Sequence, residues 1–225
     1  MSIEFEQEVR QNIEKMGADE EFTQLSRAWT IRSSQLRYSY SFKWMGLPII
    51  QLPQDIVAMQ ELIWDAKPDV IVETGVARGG SAVFYASLLE LLGKGKVISV
   101  EFDLRDSNRQ ALDDHPMRKR IEVIDGDAVS QSVVEKVRSH IQPSDTVLVC
   151  LDSNHTHDHV FRELQLYGPL VSVGSYLVVF DTVVVVKQLD RARPEGEIDR
   201  HRPADRGERI DRGAGEQVDA RNRPP

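Results

Sequence analysis

From Val70 to Leu92 the chain reads as one strand, one tight turn and one helix. Val70-Ile-Val is apolar and β-branched and runs into an acid, Glu73. The turn that follows carries Gly75, Gly79 and Gly80, which tolerate positive φ and close backbone approach. Ala82-Val-Phe-Tyr-Ala-Ser-Leu-Leu-Glu-Leu-Leu92 then has helical character. A strand that enters a helix through glycines, with Ser81 at the helix start, offers unpaired N–H groups to a polar ligand. The spacing is E-x-G-x-x-x-G-G rather than G-x-G-x-x-G, so a dinucleotide pyrophosphate fits poorly. A carboxylate at that strand end repels a phosphate and receives a cation.

The same unit recurs. Strands are expected at Val70–Glu73, Lys96–Glu101, Ile121–Asp125, Thr146–Leu151 and Ser175–Asp181. Helices are expected between them at Ala82–Leu92, Arg105–Asp113, Val129–Ser139 and Val160–Tyr167. This alternation predicts an α/β fold, Rossmann-like, with a mostly parallel, doubly wound sheet and ligands at the carboxyl ends of the strands. Upstream, residues 3–30 read as helix interrupted at Gly17, with a second short helix at Glu20–Trp29. Residues 31–54 read as loop, with Pro48 and Pro53 as punctuation, and Asp55–Lys67 reads as a further helix. Three stretches result: 1–54, an N-terminal helical segment with a lid-like loop; 55–186, the ligand-binding α/β domain; and 187–225, a charged tail. The tail is rich in Arg, Asp, Glu, Gly and Pro, and its composition predicts disorder. It reads either as a natural tail or as the product of a shifted reading frame. The run Val183–Val186 directly before it favours the second, as if a core strand had lost its continuation.

Composition excludes several classes. A net charge of −8 argues against nucleic acid or an anionic membrane as the main partner. The single cysteine, Cys150, leaves no disulfide framework and no cysteine metal cluster. The N-terminus is acidic where a signal peptide is basic and then apolar. No run reaches the roughly 18 apolar residues of a membrane span. A cytoplasmic protein is the expectation.

Acids at the strand ends supply the chemistry. Glu73, Gly75, Gly79 and Ser81 form the first site, and the sulfonium and amino groups of S-adenosylmethionine (SAM) are cations of the kind Glu73 would hold. Arg78 is a candidate partner for a carboxylate. Glu101 ends the second strand, where an acid can accept both hydroxyls of a ribose, with Asp103 as the weaker candidate. Asp152-Ser-Asn-His-Thr-His-Asp158 follows the fourth strand. Asp152 and Asp181 end adjacent strands and suit Mg²⁺, which takes oxygen ligands and keeps several waters. Three histidines in a loop with no cysteine are a weak zinc signal. His155 is the best general-base candidate, because an imidazole titrates near neutrality. Tyr38, Tyr40 and Trp44 are candidates for a lid over an acceptor, or for packing of the N-terminal helices on the sheet.

Four segments carry a resemblance: Phe42-Lys-Trp-Met-Gly-Leu-Pro-Ile-Ile-Gln-Leu-Pro53, Val72-Glu-Thr-Gly-Val-Ala-Arg-Gly-Gly-Ser81, Leu151-Asp-Ser-Asn-His-Thr-His-Asp-His-Val160 and Gly174-Ser-Tyr-Leu-Val-Val-Phe-Asp-Thr182. In this order, over roughly residues 35–184, the chain resembles the cephalosporin hydroxylase / rhamnosyl O-methyltransferase family of SAM-dependent methyltransferases. The resemblance implies a class I methyltransferase fold, usually of seven strands, of which five are visible here. It implies SAM as cofactor and places an acid after the third strand near the adenine amino group. Asp127 is the choice there, with Asp125 second, and an Asp-Gly turn with an acidic cap as the plain alternative. It implies a metal in some members, usually with an acidic pair after the fifth strand, of which this chain has only Asp181. The activity implied is methyl transfer to a hydroxyl of a small-molecule, sugar or lipid-linked acceptor in lipid or natural-product biosynthesis, with catalysis by Asp152 and His155 and possible Mg assistance. The rivals are a hydroxylase built on Asp152, His155 and His157, and an inactive SAM-binding remnant. The N-terminal helices are a candidate surface for self-association.

Overall fold

A computed structural model of the chain describes residues 2–182, all within one compact unit. The expectations for Val183–Val186 and for the charged tail at 187–225 lie outside the described residues.

Two helices open the chain, α1 (Ile3–Ala18) and α2 (Glu20–Gln35). Gly17 does not break α1 as expected. The break comes at Asp19, whose side chain accepts from Phe22 N at 2.9 Å and so caps α2. Helix α2 runs six residues beyond the expected Trp29, to Gln35.

The stretch 31–54 is also more structured than expected. After a 3₁₀ turn at Tyr38–Ser41 it forms a hairpin, β1 (Phe42–Trp44) and β2 (Leu47–Ile49), closed by Met45 and Gly46, both at positive φ. Two residues at positive φ match the right-handed strand twist, which is why this loop closes so tightly. Trp44 packs edge-on against Phe84 at 4.8 Å and donates from Nε1 to Ser87 Oγ at 3.0 Å. The hairpin is thereby fastened to the core.

Helix α3 (Pro53–Ala66) leads into the sheet, made of β3 (Val70–Thr74), β4 (Lys96–Glu101), β5 (Ile121–Asp125), β6 (Val147–Leu151) and β7 (Leu177–Val179). The strand order is β5-β4-β3-β6-β7, and every pairing is parallel. Helices α4 (Gly80–Leu92), α5 (Asp106–Asp113), α6 (Gln131–Ser139) and α7 (His157–Tyr167) connect the strands. Each of the five strands falls where the sequence predicts, although β7 is shorter than the expected Ser175–Asp181.

Alternation along the strands builds two cores. Ile71, Val97, Leu148 and Cys150 face α3 and α4, whereas Val70, Val72, Ile98 and Val149 face α6 and α7. Cys150 is a small core residue, as expected. The central strands β3 and β6 are buried on both faces, which explains their unbroken apolar reading. The chain leaves β3 for β4 on one side and comes back to β6 on the other. The crevice at that reversal is where open α/β sheets bind ligands.

Candidate active site

The turns after β3 and β6 meet at the reversal. Asp152 N donates to Thr74 O at 3.0 Å. Gly75 has φ +91°, and a Cβ there would lie 2.2 Å from Asp152 O. Glycine is thus required by the neighbouring turn, and its left-handed conformation makes it doubly so. Gly79, at φ +84°, forms the cap of α4, and the buried Ser81 lies in the first turn of that helix.

Glu73 lies at the end of β3, only 1% exposed. Its Oε2 accepts from Ser99 Oγ at 2.8 Å, while Oε1 is buried with no hydrogen-bond partner. Burial pushes its carboxyl up to about 7, against the hydroxyls of Ser81 and Ser99, which favour the ionised form.

Glu101 is engaged otherwise than its strand-end position suggests. Oε2 accepts from Val76 N at 2.8 Å and Ala77 N at 2.9 Å, and Oε1 accepts from Phe102 N at 2.9 Å and Asp103 N at 3.3 Å. The carboxylate holds the glycine turn to the end of β4. Some of the N–H groups expected to await a ligand are thus already satisfied. Asp127 is exposed and accepts from Val129 N at 3.1 Å, a local turn bond, while Asp125 is paired with Arg109.

The strongest convergence joins three elements that are distant in sequence. Asp152 after β6, His155 in the loop before α7 and Asp181 after β7 each present a ligand atom within 4.8 Å of the others. His155 Nε2 lies 3.3 Å from Asp181 Oδ2. Burial, followed by the charges of Asp181 and Glu73, holds the Asp152 carboxyl well above the usual carboxylate range. The two carboxylates suit a hard divalent cation, which takes oxygen ligands, and leave the imidazole beside them free for another role. His157 does not join them. It is exposed and pairs with Asp158 at 3.0 Å, so the Asp152–His155–His157 grouping considered from sequence is not assembled. His159 belongs to a second network, in which Ser153 Oγ donates to the buried Glu163 Oε1 at 2.8 Å and lies 3.1 Å from His159 Nε2.

The aromatic candidates divide. Tyr38 packs edge-on between Trp29 and Phe42, and Trp44 is fixed on α4, so both serve packing rather than a lid. Tyr40 instead lines a cavity of about 640 Å³ that also reaches Gln51, Asp55, Asp152 and Asp181. Burial and then the charge of Asp181 raise the Asp55 carboxyl. Gln51, Asp55 and Glu163 were not singled out from sequence. Only Glu163 carried a readable signal there, its helical i, i+4 spacing from His159.

A family model described as Rhamnosyl O-methyltransferase/CmcI matches residues 36–205. The match opens next to the expected residue 35 and extends past the expected end at 184. A rhamnosyl O-methyltransferase of Mycobacterium tuberculosis (strain ATCC 25618 / H37Rv) is 30% identical over 142 residues, covering 62% of this chain and 56% of the relative. The chain thus spans little more than half the length of the curated relative it matches. Among solved structures, an apo structure of CmcI aligns with a TM-score of 0.51 at 21% identity, covering 66% of this chain and 60% of that one. A Mg-SAM structure of CmcI aligns with a TM-score of 0.50 at 19% identity, covering 67% and 61%. These likenesses establish the fold.

Proposed function

The chain belongs to the Rhamnosyl O-methyltransferase/CmcI family, and from that premise we propose that it is a SAM-dependent O-methyltransferase acting on a hydroxyl of a small-molecule, sugar or lipid-linked acceptor. The observation that carries the reading is the meeting of Asp152, His155 and Asp181 at the sheet reversal, beside a buried Glu73 whose Oε1 is unpartnered. The printed names of the similar proteins, a rhamnosyl O-methyltransferase and a Mg-SAM structure of CmcI, support the same chemistry.

SAM fits this end of the sheet through Glu73 and the turn Gly75–Ser81, with Glu101 toward the ribose and Asp127 toward the adenine. When bound, it supplies a methyl group on a positive sulfur, which leaves as a neutral thioether. The unpartnered Oε1 of Glu73 is the group best placed by charge to receive the cationic end. Glu101 takes part only by sharing or releasing backbone N–H groups it now holds.

Asp152 and Asp181 are the residues that would hold Mg²⁺, and the ion would favour the acceptor oxygen as its proton leaves. His155 is the base. With Nε2 turned to Asp181, the ring donates there and Nδ1 takes the proton from the hydroxyl, the carboxylate stabilising the imidazolium. Residues that hold the acceptor hydroxyl beside the methyl donor would supply much of the acceleration by positioning alone. A hydroxylase on a 2-His-1-carboxylate iron site is disfavoured, because this cluster offers one histidine and two carboxylates.

We also place the protein in the cytoplasm; no helix among the described residues is long and apolar enough to cross a membrane. The N-terminal helices are the proposed surface for self-association. Calorimetric titration with SAM and NAD in parallel, followed by transfer of a radiolabelled methyl group to a rhamnoside, tests the reading. Saturable binding of SAM with label transfer is expected. Binding of NAD but not SAM sinks it, and SAM binding without transfer to any hydroxyl acceptor assigns an inactive remnant.

A further inference from the structure

The cavity between α2, α3 and the end of β7 has a volume of about 640 Å³. Its walls are mixed. Met59 and Leu62 of α3 supply apolar surface, Tyr40 an aromatic ring, and Asp152 and Asp181 the charged end. Gln51 also lines it and is only 5% exposed. Neither Oε1 nor Nε2 of its amide has a hydrogen-bond partner. Asp152 and Tyr85 lie near enough for the amide to favour their ionised forms, yet neither closes a hydrogen bond of proper geometry with it. A buried amide open at both ends is rare, because each unmet polar atom carries its desolvation cost.

One chemical group answers both ends at once. A hydroxyl donates to Oε1 and accepts from Nε2, whereas an ether or an apolar group leaves at least one end unmet. Asp152 and Asp181 line the same cavity, so a molecule presenting one hydroxyl to them brings a neighbouring hydroxyl to Gln51.

We propose that this cavity is the acceptor site and that Gln51 selects acceptors bearing a second hydroxyl next to the one that is methylated. The inference rests on the methyl-transfer reading above and adds its selectivity. The ligand chemistry is a 1,2-diol, from either a saturated ring or an aromatic one. An acceptor with a lone hydroxyl enters but leaves the amide unpaired, and discrimination follows from that unpaired group.

The test uses the full chain with Mg²⁺, with and without S-adenosylhomocysteine. Four probes are titrated calorimetrically: cis-1,2-cyclohexanediol, cyclohexanol, catechol and phenol. At least one diol is expected to bind tenfold or more tightly than its single-hydroxyl counterpart, and the preferred pair identifies the ring type. Gln51→Leu should reduce that preference to within about twofold, because it removes both the partner of the second hydroxyl and the amide that a lone alcohol leaves unpaired. Equal binding of diol and alcohol by the unaltered protein overturns the proposal, as does a full preference retained in Gln51→Leu. Failure of S-adenosylhomocysteine to bind sinks the methyltransferase reading instead, and the diol comparison made without it still decides the role of Gln51.

Discussion

A carboxyl with no exposure and one unpartnered oxygen makes Glu73 the most sensitive single residue. Its pKa rises from 4.5 to about 7 on folding. An acid raised in the folded state favours folding below its unfolded pKa, and that contribution is lost as pH rises through the folded value. The window is therefore pH 4.5 to 7, and the shift corresponds to about 3 kcal/mol. Urea unfolding at pH 5 and pH 8 should show the native chain losing up to that amount relative to Glu73→Gln, which has no charge to bury. Parallel pH profiles for the two proteins would show that Glu73 does not carry the shift. At this scale the sequence is legible in part. Asp152 and Asp181 were readable as partners because they end adjacent strands. The four backbone bonds to Glu101 were not, since they depend on how the glycine turn folds back. Gln51 was not readable either, because an orphaned amide is defined by its surroundings rather than by spacing.

Elements were legible where a pattern repeats and illegible where a single contact decides. The strands of the sheet each carry a short β-branched run between turn signals. The hairpin at Phe42–Ile49 has three-residue strands, a proline inside the second and a methionine at positive φ in its turn, all of which argue locally against it. Its stability comes from the helix it lies on. Gly80 opens α4 beneath it, and a Cβ there would lie 2.2 Å from Pro48 O and 2.7 Å from Ile49 Cα. Neither backbone can yield without moving the hairpin. Gly80→Ala should therefore cost about 2–3 kcal/mol and loosen the packing of Trp44 on Phe84, read as a shift in tryptophan fluorescence. Gly17, with nothing within 4 Å of its would-be Cβ, is the control. Gly17→Ala should leave global stability undiminished. Equal behaviour of the two variants would mean that the hairpin is not held by close approach at Gly80.

Across the whole molecule, strand order and parallel pairing follow from right-handed crossovers, and the two cores follow from alternation on either face of one sheet. What remains unexplained by that sheet is α1. None of its residues is buried, although Ile3, Phe5, Val9, Ile13 and Met16 are apolar and exposed, and Phe22, Leu25 and Trp29 on α2 are exposed as well. Scattered single apolar side chains need no partner, but a helix with no buried residue derives little stability from its own chain. A second copy of the same helical pair would cover this surface. Val9→Glu combined with Ile13→Glu should move the chain toward monomer in sedimentation velocity at micromolar concentration. Because neither residue packs on the sheet, the unfolding free energy of the α/β core at a concentration where both proteins are monomeric should stay within about 0.5 kcal/mol of the unaltered protein. Identical sedimentation of the two would remove self-association through α1, whereas a large loss of core stability would mean that these side chains pack within their own chain.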